Sequence, residues 1–183
     1  KSEAILMTID GEIQEPDGSP AWGNVGQAAR RRCPEYMKEV ERQLDLPITH
    51  GDSQIVDLSG HASKNRLSFN YIGAISALDH LGSRRRDSNY LLNSILRAMG
   101  DLAFFRVKSI ISTMPTGGWR VPPEESAHII ETVRREFIKW DTKWIIGDYN
   151  NKRLKQIFPC SFHIRIGPNG YRRMCLLPCV HQE

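Results

Sequence analysis

Val107-Lys-Ser-Ile-Ile-Ser-Thr113, then Met114-Pro-Thr-Gly-Gly-Trp-Arg-Val-Pro122, then Pro123-Glu-Glu-Ser-Ala-His-Ile-Ile-Glu-Thr-Val-Arg-Arg-Glu-Phe137 is the stretch that decides the fold class. It reads as a buried strand, a glycine-containing loop and an amphipathic helix. The strand rests on the β-branched pair Ile110-Ile111 ahead of a turn cluster. In the helix, Pro123 suits a first-turn position and Glu124 and Glu125 complement the positive end of the dipole. Ala127, Ile130, Val133 and Phe137 recur on one face. The loop Pro115-Thr116-Gly117-Gly118 can turn backbone N–H groups toward an anion, because glycine admits close approach and positive φ. It equally suits an ordinary tight β–α connection.

Outward from this unit the elements alternate, which predicts an α/β fold with a largely parallel or mixed sheet covered by helices on both faces. Strands are expected at 3–9, 48–58, 67–72, 107–113 and 143–147, with a loop at 10–23. A helical stretch over 24–44 puts Val25, Ala29, Tyr36, Met37, Val40 and Leu44 inward and breaks at Pro34. Another helix, started by Asp87 or Ser88 as cap, carries Tyr90, Leu91, Ile95, Ala98, Met99 and Leu102. Helices at 123–139 and 150–157 complete the set, and no internal repeat or low-complexity segment is visible.

The 183 residues suffice for one core, and 40% apolar with 25% charged residues is a globular composition. No apolar run approaches the roughly 18–20 residues that a membrane helix needs. Lys1-Ser-Glu-Ala-Ile-Leu6 is too short for a signal peptide and says nothing of sorting, and the composition suggests an intracellular setting, cytoplasmic or nuclear. The net charge of +4 is concentrated in Arg30-Arg31-Arg32, Arg84-Arg85-Arg86 and Arg172-Arg173. Such clusters serve a polyanion or simply form solvated faces.

Several of these segments together resemble the macro domain family. Its phosphate loop reads Ser-Thr-Gly, two variable residues including an aromatic, then a proline leading into a helix. Pro115-Thr116-Gly117-Gly118-Trp119-Arg120-Val121-Pro122 follows that pattern. Glu3-Ala4-Ile5-Leu6 looks like the strand ending in the family's Asn-Ala-Ala-Asn segment, and Trp22-Gly23-Asn24-Val25-Gly26-Gln27-Ala28-Ala29 like its Gly-rich turn opening a helix. Trp144-Ile145-Ile146-Gly147-Asp148-Tyr149-Asn150 looks like the late strand and its acidic, aromatic turn. The resemblance implies a three-layer α/β/α macro-like domain over residues 1–158 with a mixed central sheet. It implies an ADP-ribose or related nucleotide ligand held by Asp10, Gly23, Asn24, Val25, Pro115, Thr116, Gly117, Gly118, Trp119, Asp148 and Asn150.

The chain departs from the family at telling positions. Asp10 stands where the last Asn of Asn-Ala-Ala-Asn would hold the distal ribose and orient a water. As a carboxylate it can only accept hydrogen bonds. Gly26 stands where the hydrolytic branch carries an Asp, and glycine offers no base. Trp22-Gly23-Asn24 replaces a run of three glycines. The family's adenine-selecting Gly-Asp-Ile-Thr-like loop belongs ahead of Lys1.

Residues 159–183 read as a C-terminal β-hairpin extension packed on the same domain. Phe162-His-Ile-Arg-Ile166 and Tyr171-Arg-Arg-Met-Cys-Leu-Leu177 flank a Pro168-Asn169-Gly170 turn, suited to covering an open sheet edge. Cys160, His163, Cys175, Cys179 and His181 leave a four-ligand zinc site open alongside plain buried thiols, and four cysteines make no secreted disulfide framework. Cys33 reads as a core or surface thiol, and His50, His61, His80 and His128 as isolated structural or exposed histidines.

The expected function is a non-catalytic macro-like binding module for ADP-ribose or a related nucleotide, without a bound cofactor. The alternative is a degenerate-pocket module for a protein partner within a larger polypeptide, or for RNA or poly-ADP-ribose, through Arg30, Arg31, Arg32, Arg84, Arg85 and Arg86. An ADP-ribosyl hydrolase ranks behind both.

Overall fold

The computed structural model describes residues 2–60, 69–77, 88–113, 121–137, 140, 142–148, 163–166 and 172–177. Its strands are β1 (Ala4–Gln14), β2 (Pro20–Trp22), β3 (Ser53–Asp57), β4 (Tyr71–Ser76), β5 (Ser109–Thr113), β6 (Lys143–Asp148), β7 (His163–Ile166) and β8 (Arg172–Leu177). The helices are α1 (Asn24–Arg32), α2 (Pro34–Gln43), α3 (Ser88–Phe104) and α4 (Pro123–Phe137). The strands form one mixed sheet ordered β3-β4-β1-β5-β6-β8-β7, with β2 paired to β1 off this path. β4, β1, β5 and β6 run parallel, and β3, β2, β8 and β7 each join antiparallel.

Strand alternation splits the core between the faces. Ala4 and Leu6 of β1 pack with Ile110, Trp144, Ile146 and the apolar faces of α3 and α4. Met7 and Ile9, one residue out of phase, pack with Ile72, Ala74 and the inward side chains of α1 and α2. The three-layer α/β/α expectation therefore stands, with α3 and α4 on one face and α1 and α2 on the other. Pro34 breaks the 24–44 helix as expected, at the first position of α2. Among the described residues no helix is long and apolar enough to cross a membrane.

Element bounds differ from the sequence reading where tertiary partners decide them. Residues 10–14, expected as loop, continue β1, and 20–22 return beside it as β2. The expected strand 48–58 shrinks to β3, since Ile48 hands its N–H to the Gly11 carbonyl instead of a ladder. The 67–72 strand lies later, at β4, and the 107–113 strand starts at Ser109. The C-terminal hairpin forms, and β8 extends the sheet by pairing with β6. The expected 150–157 helix lies outside the described residues.

Candidate functional site

In an open α/β sheet, ligands bind at the carboxyl ends of neighbouring parallel strands whose connections leave for opposite faces. β1 and β5 are such a pair. β1 leads through β2 into α1 on one face, and β5 leads toward α4 on the other. Their pairing ends at Leu6 with Ser112, whereas β1 stays paired to β4 as far as Ile9 with Ser76. Beyond Leu6, β2 occupies the side of β1 that β5 has vacated, through Ile9 with Trp22 and Asp10 with Ala21. Gly23 then donates its N–H to the Thr8 carbonyl at 2.8 Å, which hangs the first turn of α1 beyond the end of β5.

That first turn is suited to an anion. Gly23 is the N-cap, with no side-chain cap hydrogen bond, and no acidic residue follows in the first turn. The first three amides of a helix lack intrahelical carbonyl partners, and the dipole adds positive potential there. The expected residues Gly23, Asn24 and Val25 thus stand together at the switch point: Gly23 buried, Val25 half-buried, Asn24 exposed. Asp148 ends β6, the next parallel strand, so its backbone is at the same end of the sheet. Pro115 through Trp119, which follow β5, and Asn150 lie outside the described residues.

Trp22 explains the glycine at position 26. The indole is 2% exposed, and a Cβ on Gly26 would lie 2.5 Å from its ring. A side chain at 26, catalytic or not, is excluded while Trp22 fills that space. The indole N–H donates to Glu41 at 2.8 Å, and Glu41 pairs with Arg30 at 3.0 Å. Burial pushes the Glu41 carboxyl up, against the pull of the Trp22 donor and the Arg30 charge. Arg30 also reaches Asp17 at 2.6 Å. Ser19, by hydroxyl and N–H, and then Arg30 hold the Asp17 carboxyl down at about 2.

This network engages the first arginine of the triplet within the molecule. Arg30 is committed within the molecule because the hairpin carries Asp17 to its side, while Arg31 and Arg32 are exposed on the last turn of α1. Arg84, Arg85 and Arg86 lie outside the described residues.

Asp10 is 1% exposed, with its carboxylate 3.5 Å from His50 Nε2 and accepting the Glu12 N–H at 3.3 Å. The other ring nitrogen, Nδ1, is 2.9 Å from Glu12. His50, read from sequence as isolated, thus spans two carboxylates, those of Asp10 and Glu12. The loop carrying His50 is held by Ser76, whose hydroxyl donates to the Ile48 carbonyl and accepts the Gly11 N–H. The 38-residue separation of Glu12 and His50 left no signal in the sequence. The candidate zinc ligands of the hairpin fall outside the described side chains, although the register sets His163 opposite Cys175.

No protein-family model matches the chain, and no curated protein matches it either. Solved structures do. The Oceanobacillus iheyensis macrodomain with ADP superposes with TM-score 0.63 at 17% identity, covering 86% of this chain and 81% of that one. A glycine-to-valine mutant of that macrodomain with ADPR gives TM-score 0.59 at 14% identity, covering 87% and 83%. The macrodomain of Mycobacterium tuberculosis DarG gives 0.54 at 14%, covering 79% and 88%. At such identities the likeness speaks for the fold, and the fold of this chain is that of a macrodomain.

Proposed function

We propose that the chain is an ADP-ribose-binding module whose ligand lies in the crevice between β1 and β5, its diphosphate against the first turn of α1. The observation that carries this reading is the parting of β1 and β5 beyond Leu6, with the acid-free, glycine-capped start of α1 hung over the opening. Neighbours solved with ADP and ADPR support a nucleotide of this class. The glycine loop 115–118 supplies the second set of amides in this proposal, on its sequence alone. We further propose that the module is non-catalytic. Gly26 has no room for a base, and the Asp10 carboxylate is engaged with His50.

Calorimetric titration with ADP-ribose, on wild type and Asn24→Asp, tests the site. A carboxylate in the first turn of α1 should raise helix stability by about 0.3–1 kcal/mol through the dipole. It should also weaken ADP-ribose roughly tenfold or more, by placing like charge on the diphosphate. Undiminished affinity in a more stable Asn24→Asp protein would remove α1 from the site. Gly117→Val tests the loop in the same assay. Hydrolysis of ADP-ribosylated protein at enzyme-like rates would overturn the non-catalytic reading. The exposed Arg31 and Arg32 favour a second reading, an RNA- or poly-ADP-ribose-binding module. Salt-sensitive RNA binding without ADP-ribose binding would favour it.

A further inference from the structure

The C-terminal hairpin carries thiols and an imidazole that the sequence spaces in pairs. Cys160-Ser-Phe-His163 has two residues between its thiol and its imidazole, and Cys175-Leu-Leu-Pro-Cys179 has three between its thiols. Ligand pairs separated by two to four residues are the usual spacing of structural zinc sites, each pair chelating from one short segment. A single residue separates Cys179 from His181, which puts that pair outside the spacing.

The sheet adds what spacing does not contain. β7 and β8 pair antiparallel in a register that sets His163 against Cys175, one residue from each pair. Residues directly opposite in such a ladder hold their Cβ atoms about 4.5–5.5 Å apart. Bonds of about 2.0–2.1 Å to nitrogen and 2.3 Å to sulfur let a cross-strand His and Cys share one ion. A register shifted by one residue would send the two to opposite faces of the sheet. The row continues into β6, where Ile146 stands against Cys175, so His163 and Cys175 share the sheet face of Trp144 and Ile146.

The same register has a cost. It sets Arg165 against Arg173, and like charges directly opposite weaken a ladder. Among the described residues β7 pairs with β8 alone, and β8 is joined to the rest of the sheet through β6. A two-stranded ribbon is marginal in water, and small elements of this kind are commonly stapled by a metal or a disulfide.

We propose that Cys160, His163, Cys175 and Cys179 hold a structural zinc ion that fastens the C-terminal hairpin. Cys160 and Cys179 lie outside the described residues and enter on their spacing. Three thiolates and one imidazole suit a tetrahedral ion of zinc's softness, and the thiols release their protons to solvent on binding. Protein fills all four positions, so the ion takes no part in chemistry at the crevice, and the proposal stands apart from the nucleotide reading.

Metal content and cobalt spectroscopy on the full chain test this. Protein purified under reducing conditions from zinc-supplemented cells should carry about one zinc ion per chain by plasma mass spectrometry. Cobalt exchanged into it should give the visible d–d and thiolate charge-transfer absorption of a tetrahedral site. Cys175→Ser and Cys179→Ser should each lose that absorption, Cys33→Ser should keep it, and Cys179→His, which restores a ligand, should recover it. Removing the zinc with a chelator should speed amide exchange in β7 and β8 and leave β1 and β4 unchanged. A wild type that takes up neither zinc nor cobalt overturns the proposal, as does cobalt absorption that survives when Cys175→Ser and Cys179→Ser are combined. A disulfide from Cys160 to Cys175 or Cys179, found by peptide mapping after purification with zinc and without reductant, would overturn it too.

Discussion

At the carboxyl ends of β1 and β4, close approaches are made by glycine and satisfied by polar partners. A Cβ on Gly11 would lie 2.3 Å from the Ile48 carbonyl, and the Ser76 hydroxyl fills what space is left. His50 lies between Asp10 and Glu12, and Trp22 between Gly26 and Glu41. At the amino ends the same strands are flanked by exposed rings and by an arginine in a glycine's conformation. The first region is over-determined, so its backbone is held in one place by contacts on every side. The second holds apolar area that its own fold leaves to solvent. The contrast separates residues whose change damages the fold from residues whose change the fold tolerates.

The sharpest way to break the contrast is Gly11→Ala. The added methyl meets backbone that cannot swing aside, so about 3 kcal/mol of stability should be lost in urea unfolding. A smaller loss would mean that the 48–51 loop yields easily. Next comes Trp22→Phe, which leaves the half-buried Glu41 carboxyl without its indole donor. The expected loss is about 1–3 kcal/mol, and pairing it with Glu41→Gln should recover part of it in a double-mutant cycle.

A milder effect follows from the hairpin acid. The folded Asp17 carboxyl, held at about 2 against an ordinary 3.8, contributes stability above pH 3.8 that is lost as pH falls through about 2. Asp17→Asn should therefore be less stable than wild type at neutral pH, and the two melting temperatures should converge on acidification. Parallel curves would remove Asp17 from the acid response. Smallest of all, Phe104→Ser should leave thermal stability within about 0.5 kcal/mol of wild type, because its ring is already in water. A clear loss of monomer stability would mean that the ring packs within its own chain and would end the comparison.

Chain-local signals read correctly. The 3.6-residue periodicity located α3 and α4, Pro34 marked the break between α1 and α2, and the Pro168-Asn169-Gly170 turn marked the hairpin of β7 and β8. Each depends on residues a few positions apart, so one sequence suffices to show them. The start of α1 at Gly23–Val25 was legible for the same reason. Contacts across long separations were not. Nothing local distinguishes Glu12, His50 or Glu41 from solvated polar residues. Glycine 11 in a segment rich in turn formers reads as loop until β2 is seen to supply the ladder that β5 gives up.

The sequence by itself determined the succession of elements apart from β2, their apolar faces and the α/β class, because amphipathic period and turn chemistry act along the chain. Only the tertiary structure decided that β1 and β5 part beyond Leu6, that Trp22 closes position 26, that Arg30 is spent on Asp17 and Glu41, and that Phe104 stays in water. Those outcomes are set by which strand lies beside which and by how much room is left between them, and close packing fixes both only once the whole sheet is assembled.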